Sequence, residues 1–164
     1  MIIFIYDDLM LQDIQDNAKI EMEQLGFAYI KGKLYFYNDY IKRRTFLVPN
    51  NKTISNVFGV VYDVDNVFLH KLFGYYSSSF MYTKTVLDSD TYVMESCDVQ
   101  MIKFDTIEQF RKLKFEKLDK KLQINAFIGN LNNDKIKNSI KFPRWYQMDN
   151  FDDSFKVVLG NNAK

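Results

Sequence analysis

Two adjacent carboxylates, Asp7 and Asp8, end the apolar run Ile3-Phe4-Ile5-Tyr6 and are followed by Leu9, Met10 and Leu11. Charges at the mouth of a buried strand are costly unless they are solvated, paired or used. Three roles suit such a pair. One acid can cap the helix that follows, where the N-terminal dipole favours negative charge. The pair can face a cavity and bind something cationic: an amine, a basic protein side chain or a metal. Alternatively, one can act as a general acid/base, because crowded carboxylates push one pKa up. Two adjacent acids without a third ligand at a meaningful spacing are no metal signature, so no metal site is expected.

Few other residues carry chemistry. His70 is the only histidine and sits at a helical position beside Leu69 and Lys71, which suits a surface or boundary residue. Cys97 has no base beside it in sequence and reads as a small buried residue. Ser77-Ser78-Ser79 lacks the strand-to-helix context of a nucleophile elbow. Residues 105–121 hold six basic and four acidic side chains, which fits a solvated amphipathic face better than a phosphate-binding one. The aromatic and basic cluster Phe142-Pro143-Arg144-Trp145-Tyr146 suits either an interface or a tail folded back onto the domain.

The chain that must position these residues is 164 long, 47% hydrophobic and 26% charged, with a formal net charge of +1. That is enough to bury a core, and the charge balance gives no general attraction to nucleic acid or anionic membrane. No apolar run reaches the roughly 20 residues of a spanning helix. The opening lacks a signal peptide's basic region and cleavage site. A single cysteine excludes an internal disulfide and points to a reducing, cytoplasmic location. Abundant Lys, Asn, Ile, Tyr and Phe suit an AT-rich genome, as in a bacteriophage or a low-GC bacterium.

Residues 1–6 read as a buried strand. Leu11, Ile14, Ala18, Met22 and Leu25 then predict a helix stopped by Gly26. Strands are expected over 27–37, with a bend at Gly32, over 43–50 and over 57–64. Asp65 caps a helix that Gly74 ends. Segments 80–87 and 91–104 read as a hairpin around Asp88-Ser89-Asp90. Thr106 and Gln109 form a capping-box signature, and Ile107, Phe110, Leu113, Leu118 and Leu122 suit a helix after it.

In that order the chain resembles the gamma-glutamylcyclotransferase-like family, which includes the plant avirulence-induced proteins. The resemblance covers roughly residues 1–104. The family's Tyr-Gly-Ser-Leu loop corresponds to Tyr6-Asp7-Asp8-Leu9, followed by Met10. A second motif matches at Gly26, Ala28, Gly32, Leu34 and Tyr35, and a third at Val57, Gly59, Tyr62 and Val64. The family helix ends Leu-Asp-x-Tyr-Glu, where this chain has Leu72-Phe73-Gly74-Tyr75-Tyr76. The next strand, Tyr-x-Arg-x-x-Val in the family, begins here at Tyr82, and Lys84 replaces the arginine, keeping its charge but not its planar fork.

The resemblance implies that loop N–H groups hold a gamma-glutamyl group and that the helix-end glutamate moves the proton as 5-oxoproline is released. Tyr76 takes that glutamate's place, and a phenol is a poor base at neutral pH. Asp7 and Asp8 facing the pocket would each cost an anionic substrate group about 3–4 kcal/mol. The expectation is therefore an α+β protein with a gamma-glutamylcyclotransferase-like mixed β-barrel flanked by helices (1–104) and a mainly helical C-terminal extension packed on it (105–164). Its standard activity is expected to be lost. A small molecule or protein partner would bind near Tyr6, Asp7, Asp8, Leu9, Tyr76, Tyr82 and Lys84, without cofactor, nucleic acid or membrane. Two alternatives stand beside this: an active enzyme on an amine-bearing substrate using Asp8 or Glu95 as acid/base, and an interaction module acting through residues 105–164. Oligomeric state is left open.

Overall fold

The computed structural model describes residues 1–38, 43–77, 84–137, 139–141 and 147. Among these residues seven strands form one sheet: β1 (Ile2–Ile5), β2 (Glu23–Asn38), β3 (Arg43–Pro49), β4 (Asn56–Asp63), β5 (Tyr92–Lys103), β6 (Glu116–Gly129) and β7 (Ile140–Lys141). The helices are α1 (Gln12–Ala18), α2 (Leu69–Tyr76), α3 (Ile107–Arg111) and α4 (Asp134–Lys137), with 3₁₀ turns at Asp8–Met10 and Asn66–Phe68. No described helix is long and apolar enough to cross a membrane.

Strand pairing runs β1-β4-β2-β3-β6, and β6 returns to β1 in parallel through Ile3↔Asn125 and Phe4↔Ala126, which closes a five-stranded mixed barrel. β5 lies along β6 and also pairs with β2 at Tyr29↔Gln100. β2 changes partners along its length, from β4 up to Lys31 to β3 from Gly32 onward. At the changeover a Cβ on Gly32 would stand 2.5 Å from the Val48 carbonyl oxygen, so only glycine lets the two strands approach this closely.

Strand alternation divides the core in two. Phe4, Tyr6, Ile30, Leu47, Val61 and Ala126 belong to a cluster that no described helix residue joins, which is the barrel interior. Ile3, Ile5, Val60 and Phe127 face outward and are covered by Leu9, Met10, Leu72, Tyr76 and Phe110 from the helices and the first turn. Beyond the end of β1, the Gln147 side chain takes both backbone groups of Phe58, accepting at 3.1 Å and donating at 2.7 Å. The rest of the aromatic cluster at 142–148 lies outside the described residues.

Several elements differ from expectation. The first helix ends at Ala18, because Lys19 turns left-handed (φ 55°), and Gly26 sits inside β2 at a register shift. α2 runs past Gly74 to Tyr76. Residues 84–91 form no strand, so the expected hairpin is absent over its described part; β5 pairs with β6 instead. The helix expected over 105–122 stops at Arg111, and Leu113 adopts a positive φ of 57°. Beyond it runs β6, a barrel strand, in place of the helix expected there. Leu118 and Leu122 recur every four residues, a spacing that also fits one face of a strand. The Thr106 cap is present, accepting the Gln109 N–H at 3.3 Å.

Candidate functional site

The loop after β1 is where the acids act. The Asp7 carboxylate caps the 3₁₀ turn by accepting the Leu9 N–H at 3.1 Å, and the Asp7 and Asp8 carbonyls accept the Met10 and Leu11 N–H groups, each at 3.0 Å. Asp7 is only 6% exposed. The same carboxylate oxygen, Oδ1, accepts a second bond at 3.0 Å, from the Tyr76 hydroxyl at the end of α2. Tyr76 is fully enclosed. Its ring stacks on Phe127 at 4.0 Å between centroids and meets Tyr92 edge-on at 5.1 Å. Burial first, and then the negative charge of Asp7, hold its pKa well above the ordinary tyrosine value. Tyr76 is therefore a neutral hydrogen-bond donor at neutral pH.

Ser77 fixes the end of α2. Its N–H reaches the Gly74 carbonyl, and its hydroxyl donates to Phe73 O at 2.7 Å and accepts from the Asp88 N–H at 3.2 Å. Its own carbonyl accepts from Arg44 Nη2 at 2.9 Å. The Arg44 guanidinium lies 5.6 Å from the Tyr92 ring centre, and the Tyr92 hydroxyl donates to Thr45 O at 2.5 Å. Burial, then Asp7, raise the Tyr92 pKa, with Arg44 opposing them.

These groups enclose a cavity of about 380 Å³, whose walls include Asp7, Asp8, Asn17, Arg44, Tyr76 and Tyr92. Asp7, Asp8 and Tyr76 thus line one cavity. Tyr6 is not on this wall. Its hydroxyl braces the barrel, donating to Phe127 O at 2.5 Å and accepting from the Leu47 N–H at 2.9 Å. Leu9 is core. Lys84 pairs with Asp88 at 3.7 Å and is also off the wall. Glu95 is exposed on β5; it lies three residues from Tyr92 and so faces the opposite side of the strand from the cavity. Tyr82 lies outside the described residues. Arg44 and Tyr92 line the cavity without being among the residues expected there. An arginine in register with Phe46 and Val48 inside an apolar strand was the available signal. Among the described residues no group of three or more His, Cys, Asp or Glu could hold a metal.

The closed mixed barrel flanked by helices is the fold of the gamma-glutamylcyclotransferase-like proteins. No protein-family model and no curated protein matches the chain in sequence. Solved structures match it in shape. A gamma-glutamyl cyclotransferase superposes with a TM-score of 0.57 at 12% identity, over 92% of this chain and 86% of the other. The uncharacterized protein loc79017 from Homo sapiens gives 0.54 at 14%, over 92% and 85%. YkqA from Bacillus subtilis gives 0.45 at 15%, over 79% of this chain, which spans 35% of its length.

Proposed function

We propose that this gamma-glutamylcyclotransferase-like protein binds a small amine-bearing ligand in the cavity beside Asp7 and Asp8, and has lost the ordinary cyclotransferase reaction. The contact between the Tyr76 hydroxyl and the Asp7 carboxylate carries this reading. Where the family resemblance implies a glutamate that moves protons, a neutral phenol is already donating to a neighbour. The loop itself points the same way. The N–H groups of Leu9, Met10 and Leu11 are all bound within the turn, and the Asp7 carboxylate occupies the first of them as a built-in anion. An anionic substrate group would find that donor used and a negative charge beside it. An ammonium group is the complement of a wall holding two carboxylates, and any acid on the same ligand would meet the positive charge of Arg44 across the cavity.

Amide NMR titration with primary amines and amino acids tests the ligand class. Primary amines should shift the Asp7–Leu11 amides, and Asp8→Asn should weaken that binding. Binding of simple carboxylic acids in preference to amines would overturn the assignment. A second reading has one observation in its favour: the carboxylate missing from the helix end is present across the contact, on Asp7. If gamma-glutamyl amines yield 5-oxoproline, and Asp7→Asn abolishes that while the fold survives, Asp7 is the acid/base of an active enzyme.

A further inference from the structure

A second concave site, sharing no wall residue with the first, lies on the sheet. Strand register builds it. Tyr29 of β2 stands opposite Gln100 of β5, and Gln100 stands opposite Lys121 of β6, so the three form a row across neighbouring strands. Lys31 lies two residues along from Tyr29 and Asp98 two along from Gln100, which puts both on the same face. Lys117 and Asn51 complete a groove of about 430 Å³.

Two features set this groove apart from ordinary solvated lysines. First, none of Lys31, Lys117 and Lys121 makes an ion pair among the described residues. Among the described lining residues the one acid, Asp98, accepts a hydrogen bond from the Gln123 amide, and three lysines against it leave a net +2. Second, Tyr29 is only 5% exposed, yet its hydroxyl has no hydrogen-bond partner among the described residues and keeps access to solvent. Its ring is held against Phe58 and Phe115 at 5.9 and 6.0 Å. The ring is thus fixed and the hydroxyl is left open to solvent, able to donate to a ligand in the groove.

We infer that this groove binds a phosphate-bearing small molecule, with Lys31, Lys117 and Lys121 surrounding the phosphate and the Tyr29 hydroxyl donating to one of its oxygens. A phosphate carries a charge of about −1.5 to −2 at neutral pH, which matches the groove. Its volume also falls in the range of small-ligand pockets. Glu116 and Asp119 interrupt the basic residues along β6, and the chain's net charge is only +1, so no continuous basic track offers itself to a nucleic acid.

The test is an amide NMR titration at low salt with inorganic pyrophosphate and ADP, with sulfate and a short single-stranded DNA as comparisons. Pyrophosphate and ADP should give saturable shifts confined to residues 29–31, 98–100 and 117–121, reversed by added salt. Lys31→Gln combined with Lys121→Gln replaces two exposed side chains and should reduce affinity by more than about tenfold, as each removes a charged partner. Tyr29→Phe keeps the packed ring and should cost about tenfold. Three results would overturn the inference: shifts spread over lysines generally, affinity unchanged in the double lysine variant, or sulfate or DNA binding as tightly as ADP.

Discussion

Replacing Tyr76 with phenylalanine removes one hydroxyl and leaves the stacked ring in place against Phe127. That hydroxyl donates at 3.0 Å to a carboxylate that is 6% exposed. A hydrogen bond to a charged group contributes about 1.5–3 kcal/mol, so Tyr76→Phe should destabilise the fold by that amount. Asp7→Ala removes the same bond and also the cap on the Leu9 N–H, which adds about 1 kcal/mol. In the double variant the shared bond is lost only once. It should therefore cost no more than Asp7→Ala alone, a coupling of about 1.5–3 kcal/mol. Urea unfolding followed by far-ultraviolet circular dichroism measures all four corners of the cycle. Single-variant costs that add to within about 0.5 kcal/mol would show that the two groups do not interact and would refute the argument.

Alkaline stability should reflect the buried phenols. Burial raises Tyr6, Tyr76 and Tyr92 and takes Tyr62 from 10.0 to about 12, with the Gln15 hydrogen bond opposing. Because the folded values are raised, this stabilisation is fully present below the unfolded tyrosine value of about 10 and is lost as pH climbs through the folded values, with Tyr62 alone accounting for about 3 kcal/mol. An ultraviolet tyrosinate titration should show these groups ionising only with unfolding; early ionisation of all eleven tyrosines would contradict it. Burial, with Glu95 and Asp98 nearby, pushes the Cys97 thiol up to about 11, so iodoacetamide should modify it slowly at neutral pH and rapidly in urea. Gly59→Ala would drive a Cβ into the Ile5 carbonyl and to 2.6 Å from the Phe4 ring, and should cost about 1–3 kcal/mol or more in the same unfolding assay.

Much of this architecture is written in short-range pattern. β1, the Val57–Tyr62 stretch of β4 and the Phe46-Leu47-Val48 half of β3 are apolar and rich in branched and aromatic residues, and they lie where such runs predict. Patterns that satisfy two periods mislead. Met22 and Leu25 continue the helical spacing of α1, but a left-handed Lys19 ends the helix before them. The charged, leucine-punctuated segment after Thr106 reads as helix, yet from Glu116 it becomes a strand that pairs along β5 and closes the barrel on β1 and β3, both distant in sequence. The site divides in the same way. Asp7 and Asp8 stand out locally, since acids at the end of an apolar strand need a reason. Arg44 and Tyr92 join them only through pairing and packing that no local window contains. The bond between Asp7 and Tyr76 spans 69 residues and links two departures from the family pattern that the sequence presents separately.

The central claim is that these paired departures have ended the ordinary reaction, and 5-oxoproline release tests it most directly. Purified protein incubated with gamma-glutamyl amines, gamma-glutamyl dipeptides and glutathione should release no more 5-oxoproline than buffer does. Catalytic release from any of these compounds, lost in Asp7→Asn, would contradict the account.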